Sequence, residues 1–185
     1  MTTITEKNRF TTKDITYIGL FTVLIAICSW ISVPTAVPFT LQTLGVFLTV
    51  GLLGGKRGTI SIIIYILLGA VGLPLFAGFS GGIGVIIGTT GGYIIGFLFT
   101  GLIMWGIEKL FGSSYLTLAV SMLTGLIICY AVGTFWFIAV YTQNTGDIGI
   151  ISVLGLCVFP FIIPDLIKII IALYLTKRLK KAIKL

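Results

Sequence analysis

The sequence predicts an all-α fold: a polytopic membrane protein with six transmembrane helices, both termini cytoplasmic, and irregular outer loops that fold over a ligand cavity. Of its 185 residues, 57% are hydrophobic and only 9% are charged, with a mean hydropathy of +1.19. This composition is far more apolar than a soluble core of this size requires. Two further observations support the prediction: the basic residues lie at alternate connections, and the remaining connections carry no basic residue.

Six apolar runs of helical length predict helices at 14–32, 41–53, 58–71, 91–111, 116–141 and 160–179. We interpret 1–185 as a single transmembrane domain in which residues 1–13 form a short basic cytoplasmic tail. The first run has spanning length and no small-x-small cleavage site follows it, so it is interpreted as a helix and not as a signal peptide.

The second and third runs are too short to cross a membrane alone, since about 14 residues span only ~21 Å of a ~30 Å hydrocarbon core. Non-helical backbone is therefore expected at membrane depth on the outer side. The outer connection at 33–42 contains two prolines, and the one at 72–93 contains eight glycines. Irregular backbone at this depth is tolerated where it lines a cavity or is buried in protein. Residues 149–158 are predicted to be an interfacial segment before the last helix.

The basic residues determine the predicted orientation. The net charge is +7, and eleven of the twelve Lys and Arg residues fall on one side of the membrane if the helices alternate. Because cytoplasmic connections are enriched in Lys and Arg, this side is predicted to be cytoplasmic. The eleven residues are Lys7, Arg9, Lys13, Lys56, Arg57, Lys109, Lys177, Arg178, Lys180, Lys181 and Lys184.

The twelfth basic residue, Lys168, follows Asp165 by three positions within the last apolar run. A charge at the centre of a membrane helix costs roughly 2.5–3.5 kcal/mol, so an ionisable pair there indicates a site. One interpretation is a self-contained salt bridge. The other is a small-molecule cavity in which Lys168 neutralises a ligand carboxylate and Asp165 accepts hydrogen bonds from ligand N–H groups. Five uncharged polar residues could complete that cavity: Gln42, Ser80, Thr89, Thr90 and Tyr93.

The sequence predicts no cofactor and no metal site. It contains no histidine, and its three cysteines are odd in number and lack CxxC spacing. The GGKR stretch at 54–57 lacks the first glycine and the Ser or Thr of a phosphate-binding loop. With five acidic residues in total, of which only Asp165 is expected at membrane depth, an enzyme is the least favoured class.

The first predicted helix carries small residues with 3-4-3 spacing, at Gly19, Thr22, Ala26 and Ser29. Such a pattern lets another helix approach closely. The neighbouring helix could belong to the same chain or to a partner protein, and both interpretations remain open at this point.

Five motifs in order resemble one known family: VPFTLQT at 37–43, LLGAxGLP at 67–74, FAGxSGG at 76–82, GGY at 91–93 and PDxxK at 164–168. The chain is similar, over about 12–181, to the BioY-type proteins. These are the biotin-specific substrate-binding (S) components of energy-coupling factor (ECF) transporters. The motifs are specific when taken together.

The resemblance implies a cell-membrane protein of prokaryotic type that captures biotin from outside and docks onto a transmembrane coupling protein with two cytoplasmic ATPase subunits. It places Asp165, Lys168, Ser80, Tyr93 and Gln42 in the ligand pocket. It also implies that Thr22 and Ala26 contact the coupling protein. Two alternatives remain: an S component for another carboxylate-bearing vitamin, or a structural membrane protein whose ion pair stabilises helix packing.

Overall fold

A computed structural model describes residues 10–35 and 37–182. Eight α-helices form within these ranges, together with one two-stranded antiparallel ribbon and one 3-10 turn at Ala77–Phe79. The ribbon consists of β1 (Ser32–Val33) and β2 (Phe39–Thr40). The helices are α1 (Thr12–Trp30), α2 (Gln42–Leu53), α3 (Gly55–Ala70), α4 (Ile83–Ile87), α5 (Gly91–Phe111), α6 (Tyr115–Thr145), α7 (Ile150–Cys157) and α8 (Phe159–Ala182).

The six predicted helices correspond to α1, α2, α3, α5, α6 and α8. Within the described residues, four stretches are long and apolar enough to cross a membrane: Thr12–Trp30, Gly91–Phe111, Tyr115–Thr145 and Ile150–Lys181. The helix Gln42–Leu53 is apolar but shorter. These stretches make the chain a multi-pass membrane protein, while a total of six spans stays a prediction.

The structure adds to or corrects four details of the predicted fold. The connection after α1 pairs as a ribbon, with Ser32 opposite Thr40, so the fold is not entirely helical. The segment predicted at 149–158 is largely the helix α7, and the glycine-rich connection contains the short helix α4. Helix α3 begins at Gly55 and not at residue 58, because Gly54 turns the chain with a φ of 78° and the Glu108 carboxylate accepts the Gly55 N–H.

Helix α2 lies at the centre of the bundle. Ten of its twelve residues are buried, since α1, α3 and α8 pack around it. A helix with this little exposed surface needs no charged face, and α2 carries no charged residue. The polar side chains of its first turn donate to other helices, Gln42 to Tyr65 of α3 and Thr43 to Asp165 of α8.

Glycines set the separation of α5 and α6. A Cβ on Gly92 would lie 2.2 Å from the Cβ of Trp136, and one on Gly96 would lie 2.9 Å from the Cys129 sulfur. Only a hydrogen at these positions allows the two backbones to approach this closely. The contact places the middle of α6, including Tyr130, next to the start of α5.

The two ends of the bundle differ in character. We call the end that carries β1, β2 and residues 71–90 the ribbon end, and the opposite end the basic end. At the ribbon end, Trp30 Nε1 donates to the Pro74 carbonyl at 2.8 Å, which fastens the glycine-rich connection to α1. At the basic end, the Asp14 carboxylate pairs with Arg57 at 2.8 Å and caps the first turn of α1 together with Thr11.

Candidate functional site

A cavity of about 160 Å³ opens within the bundle near the ribbon end. Its walls come from α2, α5, α6, α8 and both irregular connections, and they are mostly apolar, with Phe76, Ile94, Phe97 and Phe161 among them. A mainly apolar wall with a few polar groups is typical of small-molecule sites. The polar side chains in the wall are Thr40, Gln42, Thr43, Ser80, Thr90, Tyr93, Tyr130, Asp165 and Lys168.

All five predicted ligand residues therefore line one cavity. Gln42 comes from the start of α2, Ser80 from the glycine-rich connection, Tyr93 from the first turn of α5, and Asp165 and Lys168 from α8. Thr90 lines the same cavity, whereas Thr89 is not in its wall. The tertiary fold thus brings together residues that are up to 126 positions apart, from Gln42 to Lys168.

Asp165 and Lys168 form a buried ion pair in the cavity wall. Lys168 Nζ lies 2.7 Å from Asp165 Oδ1, and the two residues are 5% and 2% exposed. An i, i+3 spacing on α8 brings the two side chains onto the same face. Removing such a pair from water is costly unless further hydrogen bonds satisfy both groups.

Those further hydrogen bonds reach the carboxylate from α2 and α6. Thr43 Oγ1 donates to Asp165 Oδ1 at 2.9 Å, and Tyr130 OH donates to Asp165 Oδ2 at 2.6 Å. With Lys168, Asp165 accepts three hydrogen bonds. Neither Thr43 nor Tyr130 is among the residues predicted from the sequence. Tyr130 had one usable signal, a phenol hydroxyl in the middle of an apolar run.

The ammonium group of Lys168 ties α8 to the ribbon. Nζ donates to the Thr40 carbonyl at 2.6 Å and lies 4.4 Å from the centre of the Phe39 ring, within the range of a cation–π contact. An ammonium has three N–H donors. Among the described residues, Asp165 and Thr40 accept two of them, which leaves one donor for a ligand.

Gln42 anchors a chain of hydrogen bonds beside the cavity. Its Nε2 donates to Tyr65 OH at 2.8 Å, and Tyr65 OH donates to the Leu75 carbonyl at 3.1 Å. Ser29 Oγ donates to the same carbonyl. This chain joins α1, α2 and α3 to the glycine-rich connection. Gln42 is 5% exposed, so its side chain has a fixed position in the wall.

Tyr93 and Ser80 are held less tightly. Tyr93 OH lies 3.4 Å from Thr134 Oγ1 and 3.5 Å from the Cys157 carbonyl, both at the long limit for hydrogen bonds. Ser80 Oγ donates to the nearby Ala77 carbonyl at 2.8 Å. Both side chains are half-buried, and their hydroxyl groups retain acceptor capacity toward the cavity.

The two residues predicted to contact a partner lie inside the bundle. Thr22 is 4% exposed and donates to the carbonyls of Ile18 and Ser61, and Ala26 is 2% exposed. Helix α3 packs against this face of α1. In this structure Thr22 and Ala26 thus lie between α1 and α3, and the exposed face of α1 carries larger apolar side chains such as Leu20 and Val23. A contact of Thr22 and Ala26 with a partner stays a prediction.

The geometry suits binding better than covalent chemistry. The single carboxylate is already occupied by three donors, and the nearest cation is neutralised by it. Nζ and Oδ1 are 2.7 Å apart, so the cation and the anion lie at the same point of the cavity wall. Whether they meet a ligand carboxylate, ligand N–H groups or both stays a prediction.

Comparison with known proteins identifies the family. The BioY family matches residues 3–185. The biotin transporter BioY of Thermotoga maritima is 42% identical over 164 residues, which cover 88% of this chain and 93% of that protein. The probable biotin transporter BioY of Pyrococcus horikoshii is 41% identical over 170 residues, covering 91% and 96%.

A solved structure has the same fold. The crystal structure of the S-component for biotin from an ECF-type ABC transporter superposes with a TM-score of 0.82 at 30% sequence identity. The match covers 94% of this chain and 95% of that one. Together with the match over nearly the whole length, these relatives show that the chain belongs to the BioY family.

Proposed function

We propose that this protein is a biotin-uptake S component, which captures biotin in the cavity at the ribbon end and hands it to an ATP-driven module. The observation that carries the proposal is the Asp165–Lys168 pair, which is buried in the wall of a mostly apolar cavity in a BioY-family chain. In this function the protein is a binding and transport subunit and not an enzyme.

The ligand orientation follows from the charge balance of the pair. Because Asp165 and Lys168 neutralise each other, the pair matches an uncharged group that both donates and accepts hydrogen bonds. The ureido ring of biotin is such a group: Asp165 Oδ2 can accept a ring N–H, and the third Lys168 N–H can donate to the ring carbonyl. The valerate carboxylate then points toward the glycine-rich connection, where Ser80 and Thr90 line the cavity.

The remaining predicted residues act as walls and positioning groups. Tyr93 supplies an aromatic face and a weakly held hydroxyl. Gln42 uses one Nε2 hydrogen on Tyr65 OH, so its Oε1 and its second Nε2–H are available to the ligand. Tyr130 and Thr43 position the Asp165 carboxylate from α6 and α2.

The proposed topology has six spans, both termini in the cytoplasm, and the ribbon end facing outward. The support is the distribution of Lys and Arg, all of which except Lys168 follow the positive-inside pattern. We infer that residues 1–185 form one transmembrane domain in the cell membrane. Of the basic tail predicted at 1–13, residues 1–9 lie outside the described residues, and Thr12 and Lys13 belong to α1. A coupling protein and two ATPase subunits are the proposed partners at the cytoplasmic side.

The contact with the coupling protein needs a surface, and Thr22 and Ala26 are buried in this conformation. We assign the contact to the exposed side of α1, where Gly19 has open space around its Cα and Val23 is 55% exposed. Thr22 and Ala26 support this surface from behind by fixing α1 on α3.

The proposal is tested by equilibrium binding of biotin to the detergent-purified protein, with two analogues as probes. Biotinamide lacks the negative charge of the tail, and the diamine analogue lacks the ureido carbonyl. We expect the diamine to lose at least tenfold in affinity, since a hydrogen bond to a charged group contributes ~1.5–3 kcal/mol. Biotinamide should lose less, because no cation of the wall is free to pair with the carboxylate.

The matched variants are Asp165→Asn at the site and Asp14→Asn in the other ion pair. Biotin binding should weaken only in the first. Equal loss in both variants would indicate general destabilisation, and no biotin binding by folded wild-type protein would refute the biotin assignment. Tighter binding of another carboxylate-bearing vitamin would favour the S component for that vitamin.

A further inference from the structure

A groove distinct from the ligand cavity lies at the basic end, at the junction of α6 and α8. It measures about 290 Å³ and is lined by Tyr115, Tyr174, Lys177, Arg178 and Lys181. Tyr115 is the first residue of α6, and the other four lie in the last three turns of α8. Arg178 is ten residues beyond Lys168, about 15 Å further along the helix at 1.5 Å per residue, so this groove is separate from the ligand cavity.

Cation–π contacts give the groove a defined wall. Lys177 Nζ lies 5.4 Å from the Tyr115 ring centre, and Arg178 Cζ lies 5.1 Å from the Tyr174 ring centre. Contacts of this length hold long basic side chains beside aromatic faces. The two tyrosines are 52% and 53% exposed. Half-exposed tyrosines at the end of a membrane bundle are typical of the membrane–water interface.

The positive charge in the groove has no acidic counterpart in the described part of the chain. There, Asp14 pairs with Arg57 and Asp165 pairs with Lys168, while Glu108 accepts from Gly55 and Ser113. The fourth described acidic residue, Asp147, follows the C-terminal end of α6, which is opposite to the Tyr115 end. None of these carboxylates lines the groove. Three cations thus share a concave surface without a neutralising side chain. The N-terminus of the long helix α6 adds the positive end of its dipole at Tyr115.

Two simpler explanations account for only part of this arrangement. Basic residues after the last span set topology, and basic residues in a last turn complement the helix dipole. Both depend on charge alone and predict no groove. Lys180 offers the contrast, since it lies on the same turn but lines a different pocket that also contains Glu108.

We propose that this groove binds the phosphate of an anionic phospholipid headgroup. A phosphate diester carries one negative charge and several acceptor oxygens, which match a guanidinium and two ammonium groups. The half-exposed tyrosines supply apolar ring faces for the glycerol region of the lipid. Basic pockets between membrane helices bind such headgroups in the leaflet they face. The inference needs only a membrane protein and does not depend on the identity of the transported ligand.

Native mass spectrometry of the detergent-purified full chain tests the proposal. The protein is titrated with dioleoylphosphatidylglycerol, with dioleoylphosphatidylcholine, and with phosphatidylglycerol in the presence of excess inorganic phosphate. We expect the anionic lipid to be retained and the zwitterionic lipid to be lost. The double variant Arg178→Gln with Lys181→Gln should weaken phosphatidylglycerol binding about 25-fold, since each basic residue near the surface contributes about fivefold.

Two control variants distinguish an effect of the groove from a general effect of lost charge or lost folding. Lys180→Gln removes the same charge from the same turn and should leave lipid binding unchanged. The double variant Arg178→Lys with Lys181→Arg keeps both charges and should retain most of the phosphatidylglycerol binding. Size-exclusion elution and thermal unfolding in detergent establish that every variant is folded.

Several outcomes would overturn the proposal. They are equal retention of phosphatidylcholine, equal weakening by Lys180→Gln, and unchanged lipid binding in the double variant. Complete competition by inorganic phosphate would assign the groove to free phosphate. The double variant Arg178→Gln with Lys181→Gln could also keep its lipid binding but fail to dock onto the protein partners. That result would assign the groove to an acidic protein segment.

Discussion

Two aspartates of this chain form ion pairs of nearly equal length in very different surroundings. Asp14 pairs with Arg57 at 2.8 Å at the basic end, and Asp165 pairs with Lys168 at 2.7 Å in the cavity wall. The side chains of the first pair are 10% and 35% exposed, whereas those of the second are 3% and 6% exposed. Water can replace either partner of the first pair but has little access to the second.

The additional hydrogen bonds reflect this difference. Asp14 accepts the N–H of Thr11 within its own helix cap, and both residues are close in sequence. Asp165 accepts hydroxyl groups from α2 and α6, on helices remote in sequence. A buried carboxylate needs several donors to offset its desolvation, so the site pair depends on the whole fold. The Asp14 pair depends chiefly on its local segment.

The largest expected effect is the loss of one partner from the buried pair. Lys168→Met leaves the Asp165 carboxylate without its cation, and we expect the free energy of unfolding to fall by about 3–5 kcal/mol. Adding Asp165→Asn should restore most of that stability, because asparagine is uncharged. Its single Oδ1 accepts from one of the two hydroxyls, Thr43 or Tyr130, and its Nδ2 can donate to the other once that hydroxyl turns its hydrogen away. Denaturant unfolding in detergent measures both. If Lys168→Met alone were as stable as wild type, water would have to reach the Asp165 carboxylate.

The same double variant should separate stability from ligand binding. With Asp165→Asn and Lys168→Met together, the cavity keeps its shape but loses both charge-assisted hydrogen bonds. We expect the Kd for biotin to rise at least tenfold, since one such bond contributes ~1.5–3 kcal/mol. Equilibrium binding on the folded double variant provides the measurement. Unchanged affinity would assign the pair to helix packing alone.

Tyr130→Phe tests how much a hydroxyl donor from a remote helix contributes to ligand binding at Asp165. This change removes the hydroxyl that donates to Asp165 Oδ2 and leaves the ring in place. We expect biotin affinity to fall about fivefold, corresponding to ~1 kcal/mol for one hydrogen bond. Tyr141→Phe on the same helix is the matched control, because Tyr141 lies outside the cavity wall. A similar loss in both variants would argue against a positioning role.

The smallest effect is expected at the basic end. Arg57→Gln breaks the pair with Asp14, whose carboxylate still caps α1. Since partly exposed pairs contribute little to stability, unfolding in detergent should change much less than in Lys168→Met. The difference from wild type should shrink further at high salt, where exposed charges are screened. If Arg57→Gln lowered the free energy of unfolding as much as Lys168→Met does, the two ion pairs would not differ in their contribution to stability.

Some of the site could be predicted because its residues are rare in their surroundings. Asp165 and Lys168 stand out in an apolar run, where a charge is costly. Ser80 and Tyr93 lie in or beside a connection whose glycines cannot form an ordinary span. Thr43 and Tyr130 carry no charge, so their signal is weaker: a hydroxyl within an apolar run has no large insertion cost to explain. Their role exists only because α2 and α6 bring them to Asp165.

The small residues of α1 also separate what the sequence predicts from what the tertiary structure decides. Their spacing predicts a closely packed helix but does not identify the neighbour. The structure places Thr22 and Ala26 against α3, because the short helix α3 returns along α1 from the turn at Gly54. Both predicted interpretations require the same spacing, so no feature of the α1 sequence could distinguish them.

The sequence by itself determined the membrane class, the positions of the six main helices and the residues whose charge needs explanation, because these follow from local hydropathy and from the cost of burying charge. Only the tertiary structure decided which hydroxyl groups satisfy Asp165, that Lys168 binds the ribbon backbone at Thr40, and that two tyrosines frame a basic groove. These contacts join segments far apart in the chain, and hydropathy carries no information about which helices become neighbours.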